Sequence, residues 1–151
     1  MTATNHAVTG ALIGLVIGQP WVALPASFLS HFVCDAIPHF DPTMPTDQWI
    51  KTRRFRNLLL IDGSLCVTLV LVLAIMQPTH WLLASFCAFV ATSPDLFWIN
   101  RFITTRRGEV WRPNLFSKFA GAIQWFTAPI GAVVEAVWFF SGLALLLIYV
   151  K

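Results

Sequence analysis

Three long apolar stretches dominate the chain: Leu58 to Met76, Trp81 to Ile99 and Thr127 to Val150. Each contains a single charged side chain, a carboxylate: Asp62, Asp95 and Glu135 in turn. At 1.5 Å per residue, helices of about 19 to 24 residues reach about 28 to 36 Å, enough for a hydrocarbon core of about 30 Å. Backbone polar groups in lipid must be paired within their own segment, so such runs are helices. The composition agrees: 57% of residues are hydrophobic and 11% charged, with a mean hydropathy of +0.71. Soluble domains carry about 25% charged residues. A disordered chain and a free nucleic-acid-binding domain are thereby excluded. Cys34, Cys66 and Cys87 lie inside apolar stretches and read as small hydrophobes, which excludes a secreted disulfide scaffold. The 151 residues make one domain, residues 1–151, a single transmembrane helical unit.

The fold class expected is an all-α integral membrane protein of about five transmembrane helices. Two shorter apolar segments precede the three long ones, from about Ala7 to Gly18 and from about Trp21 to Ile37. Gln19-Pro20 between them is a turn signal, because proline lacks an N–H and biases the preceding residue away from helix. They form a short Gly-rich hairpin that either crosses thinly or re-enters. The opening MTATNH has no basic region, which argues against a cleaved signal peptide. Nine of the ten Lys and Arg residues (Lys51, Arg53, Arg54, Arg56, Arg101, Arg106, Arg107, Arg112 and Lys118) fall in the two loops after helices two and four. The positive-inside rule makes that side cytoplasmic, with the N-terminus inside and Lys151 outside. NLFSKFAGAIQW, Asn114 to Trp125, is amphipathic and expected to lie along the inner interface. The tryptophans fall mostly at the expected interfaces and read as belts.

A charged side chain at the centre of a membrane helix costs about 2.5 to 3.5 kcal/mol on insertion scales, so the acids need partners. Turn symmetry brings candidates together. Around Gln19-Pro20, His6 mirrors the stretch between His31 and Asp35; around Pro78-Thr79, Asp62 mirrors Asp95. All lie near the cytoplasmic ends, with Glu135 at comparable depth. Gly10, Gly14 and Gly18 follow His6 at four-residue spacing, a small-residue ridge that admits close helix contact. Ala23, Ser27, His31 and Asp35 form a second such row, and packing row on row sets His6 beside His31 and Asp35.

Imidazoles and carboxylates in a low-dielectric site are ligands for Zn²⁺, with Mn²⁺ or Fe²⁺ as alternatives, as one ion or two. His31 and Asp35 stand one helical turn apart, and His6 or His39 completes the set. Asp62, Asp95 or Glu135 serves as a bridging ligand or general base. Arg53, Arg54, Arg56 and Arg101 border the same interface, with guanidinium forks suited to a lipid phosphate. Each group also has an ordinary reading. A lone intramembrane histidine is a packing residue, the arginines fix topology and anchor to lipid, and Glu135 bonds to a neighbouring helix. The convergence of several such groups favours the metal.

His6-x-x-x-Gly10, then SHFVCDAIPHFD (Ser30 to Asp41), IDG (Ile61 to Gly63) and SPDLFW (Ser93 to Trp98), resemble the bacterial inner-membrane proteins known as membrane-bound metal-dependent hydrolases. These are distantly similar to zinc-dependent phospholipase C-type proteins. The resemblance covers most of residues 6 to 100 and implies His6, His31, Asp35, His39 and Asp95 as ligand or catalytic positions. FAGAIQW (Phe119 to Trp125) departs from that pattern in carrying no histidine. Fewer ions, carboxylates in place of histidines, or loss of catalysis would each accommodate the difference.

The expected function is a membrane-embedded, metal-dependent hydrolase of the bacterial inner membrane, acting from the cytoplasmic leaflet on a phosphate-containing lipid. Its partners are that lipid and the bilayer, with no nucleic acid; a homo-oligomer stays open. His6, His31, Asp35 and His39 would hold the first ion; Asp62 and Asp95 would hold a second or supply the base. Two alternatives stand beside it. A metal-ion or proton transporter would use the same residues as a relay, although the outer halves of the last three helices are almost wholly apolar. A non-catalytic scaffold subunit would use them to hold helices together.

Overall fold

The computed structural model describes residues 1–150, and among them the architecture is all-helical, without strands. In chain order the helices are α1 (Ala3–Ile17), α2 (Pro20–Ala36), the short α3 (Thr46–Trp49), α4 (Arg53–Met76), α5 (Trp81–Thr92), α6 (Trp98–Arg106), α7 (Leu115–Ile123) and α8 (Gly131–Tyr149), with a 3-10 segment, Ser93–Phe97, joining α5 to α6. Three runs are long and apolar enough to cross a membrane: Arg53–Met76 with 24 residues, Trp81–Arg106 with 26 and Gly131–Tyr149 with 19. The shortest of these reaches about 28 Å. Their outward faces carry large apolar side chains, Ile75 77% exposed and Leu147 64% exposed among them. An apolar surface that extensive is matched to hydrocarbon rather than to water.

α1 is the core. It packs against α2, α4, α5 and α8, and no residue from Ala3 to Leu15 is exposed. The glycine ridge faces α5, not the row on α2 as the sequence suggested. A Cβ on Gly10 would stand 2.3 Å from the Cys87 carbonyl oxygen, and one on Gly14 would stand 2.6 Å from Ala84 Cα. Ala84, Ala88 and Ala91 supply the small residues opposite. His6 nevertheless meets His31, because its position on α1 lies between α5 and α2.

Four helix boundaries differ from the apolar runs, each for a local reason. α1 starts at Ala3 rather than Ala7, because carboxylates from α4 and α8 accept its first free N–H groups. α4 starts at Arg53 rather than Leu58, capped by the Thr52 hydroxyl, which accepts from Phe55 N–H at 3.1 Å. α8 starts at Gly131 rather than Thr127, because the preceding residues pair with the chain around His39: His39 N–H donates to Phe126 O at 3.2 Å and Ala128 N–H to His39 O at 3.1 Å. The fourth apolar run is not one continuous α-helix. Pro94 has no N–H to donate to the Val90 carbonyl, the Ser93 hydroxyl takes that carbonyl at 2.8 Å, and the chain tightens into the 3-10 segment before resuming as α6.

Candidate metal centre

His31 and Asp35 lie one turn apart on α2 and therefore share a face. His6, from the first turns of α1, stacks its ring on that of His31 with centroids 4.0 Å apart. The tightened turn after Pro94 carries Asp95 to the same place. His6 Nε2 is 3.2 Å from Asp35 Oδ1, His31 Nε2 is 3.4 Å from Asp35 Oδ2, and His31 Nε2 is 3.8 Å from Asp95 Oδ1. One ligand atom each from His6, His31 and Asp95 lie within 4.8 Å of one another.

The hydrogen bonding of the two imidazoles leaves a cation-shaped need. His31 Nδ1 is 2.8 Å from the Ala91 carbonyl oxygen; a carbonyl only accepts, so Nδ1 carries a proton. Nε2 then faces two carboxylates, so it holds either a second proton, as imidazolium, or a metal cation. His6 is 0% exposed, and neither of its ring nitrogens has a hydrogen-bond partner. Its approach to Asp35 is close but misaligned. Buried polar groups are rarely left unpaired, and a divalent ion among His6, His31 and Asp95 would satisfy both Nε2 atoms. The second ring nitrogen of His31, held by a backbone carbonyl, matches the usual support of a metal-bound imidazole.

Asp35 is the anchor of the cluster. Besides the two imidazoles it takes the Met1 amino group at 2.6 Å and the Gln124 side-chain amide at 3.0 Å. Phe32, beside His31 in an edge contact, meets Phe116 and Phe119 of α7, so the amphipathic α7 roofs the site. The side chains of His6, His31 and Asp35 are at most 5% exposed, whereas that of Asp95 is 35% exposed. Asp95 is the open side.

The other expected residues lie elsewhere. Asp62 accepts the backbone N–H groups of Ala3 and Thr4, each at 2.8 Å, and the Thr4 hydroxyl. Glu135 accepts Thr2 N–H and Phe40 N–H, each at 3.0 Å, and Asn5 donates to its backbone carbonyl at 3.2 Å. Both carboxylates thus serve the start of α1. His39 is buried with Nδ1 on the Ile37 carbonyl at 2.9 Å, beside the start of α8 rather than in the cluster. Arg101 is paired with Asp47 at 2.8 Å and its guanidinium lies against the rings of Trp98 and Trp111. Arg53, Arg54 and Arg56 are exposed at the start of α4.

Sequence reasoning missed Gln124, the Ala91 carbonyl and the aromatic roof. Gln124 stands in the FAGAIQW segment, whose polar group toward the cluster is an amide and not an imidazole. Family models, curated proteins and solved structures give no match to this chain, so the chemistry of the site rests on its own residues.

Proposed function

We propose that the chain is a multi-pass protein of the bacterial inner membrane that holds a divalent ion, zinc first among the candidates, at His6, His31 and Asp95 and hydrolyses a phosphate-containing lipid of the cytoplasmic leaflet. The observation that carries this reading is the convergence of two buried imidazoles and Asp95 on one point, with neither ring nitrogen of His6 hydrogen-bonded. Three protein ligands with one side open is the pattern of catalytic rather than structural zinc. When bound, such an ion supplies Lewis acidity toward a phosphoryl oxygen and activates water. Asp35 holds both rings in place through its two oxygens. Asp95, the exposed member, turns Oδ1 toward His31 and leaves Oδ2 to accept a proton. α7 covers the side of Phe32 and Asp35. The resemblance of Ser30 to Asp41 to metal-dependent hydrolases points the same way, and the basic residues at the start of α4 add positive charge at the cytoplasmic surface of the protein. In this reading α1 and α2 cross with the other three helices, and the N-terminus is cytoplasmic.

A scaffold is the second reading, favoured by the use of Asp62 and Glu135 as backbone acceptors. Elemental analysis of detergent-purified protein beside His31→Ala and Asp95→Asn separates the two. Near-stoichiometric zinc, manganese or iron, lost in both variants while the helical circular dichroism is kept, is expected, followed by phosphate release from lipid phosphates. A folded preparation that takes up no divalent ion when supplied with one overturns the hydrolase.

A further inference from the structure

α1 presents a second face to a different feature. Thr4 and Val8 lie two residues either side of His6, about 200° around the helix from it, and they floor a slot between α4 and α8. Two cavities of about 610 and 300 Å³ make up this slot, sharing Thr4, Leu65 and Phe139 as walls. The larger begins at Arg54 and Asn57; the smaller ends at Val72 and Val150.

Polarity is graded along the slot. Its mouth carries Arg54 and Asn57, with Asp62 and Glu135 below, whose oxygens are already taken by N–H groups of the chain. Past Leu65 the walls are aliphatic and aromatic, Thr68 excepted. Arg54 is exposed at the mouth and has no ion-pair partner among the described residues. Arg53 and Arg56 flank it, so the mouth is positive and suited to a phosphate.

Length selects the rest of the ligand. From Arg54 to Val72 the α4 wall rises about 27 Å, whereas one leaflet with its head groups is half of about 40 to 45 Å. The tails of an ordinary diacyl phospholipid end near the midplane and would leave the far end of the smaller cavity, at Val72 and Val150, unfilled. We propose that the slot binds one linear polyprenyl monophosphate, its phosphate on Arg54 with Asn57 and its chain laid along Leu65 toward Val72. This site lies across α1 from the His6–His31 cluster. It rests on the membrane-spanning reading and not on hydrolysis.

Native mass spectrometry and thermal unfolding of the delipidated, metal-free protein in detergent test the proposal, with a long-chain polyprenyl phosphate, geranyl phosphate and dioleoyl phosphatidic acid as probes. One long-chain lipid per chain is expected, held at least about tenfold more tightly than either other probe, with a raised Tm. Arg54→Gln weakens it by about tenfold, the loss of one charged hydrogen-bonding partner. Leu65→Trp abolishes binding with the helical circular dichroism unchanged. Should that variant not fold, Val72→Trp at the far end must exclude the long chain while sparing geranyl phosphate. Equal retention of phosphatidic acid, or wild-type affinity in Arg54→Gln, overturns the assignment.

Discussion

The Asp62 carboxylate lies against the first N–H groups of α1, which no residue of α1 itself accepts. A helix N-terminus buried without acceptors is costly, and here the cap comes from another helix. Asp62→Ala is expected to destabilise the protein by about 1 to 3 kcal/mol, read as a lower Tm in detergent, with bound metal unchanged at temperatures where the variant is folded. Metal loss without a change in Tm would instead return Asp62 to the centre. Asp95→Asn should behave the opposite way, losing metal while the metal-free protein keeps its Tm. The sequence distinguished these two acids poorly, because depth and turn symmetry are the same for both. A backbone N–H leaves no mark in a sequence, so the partners of Asp62 and Glu135 were invisible. His6, His31 and Asp35 were legible because four-residue spacing and a short turn bring side chains together by geometry alone.

Among the elements, the contact of α1 with α5 depends on missing side chains. Gly10→Val would drive two methyl groups into the Cys87 carbonyl, a backbone atom that cannot step aside. We expect loss of a monodisperse species on size exclusion, consistent with overpacking costs of about 1 to 3 kcal/mol or more. Gly63 of α4 is the control, because a Cβ there meets nothing within 4 Å. Gly63→Ala should leave Tm unchanged or raise it, by up to about 1 kcal/mol of helix propensity. A destabilised Gly63→Ala would show that α4 packs on something further. The ridge itself was plain in the sequence, but which neighbour it would touch was not, since α2 and α5 both offer small residues. The break at Pro94 could have been anticipated from the proline. Its consequence, the delivery of Asp95 to His31, needed the turn to be built.

For the whole molecule, the three long runs were legible from hydropathy, because lipid-facing residues need no partner and their pattern is compositional. The orientation proposed above makes the loop after α6 cytoplasmic and the turn between α4 and α5 external. Glu109→Cys and Thr79→Cys, both at exposed positions, should be modified by a membrane-impermeant maleimide from opposite sides of oriented vesicles, Glu109→Cys from the cytoplasmic face. Labelling of both from one side would refute the crossing of Trp81–Arg106. Reversed sidedness would put the proposed centre on the outer leaflet.

The burial of α1 has a further consequence in the order of synthesis. α1 leaves the ribosome before every helix that surrounds it, yet its first turn is held by Asp62, 58 residues after Thr4, and by Glu135, 133 residues after Thr2. Its glycine face waits for α5, and its remaining side waits for α8. A helix made before its neighbours is therefore completed only after them. Until α8 is made, the N–H group at the start of α1 that Glu135 accepts must find another partner, whereas His6, His31 and Asp95 can meet as soon as the Ser93–Phe97 segment has formed.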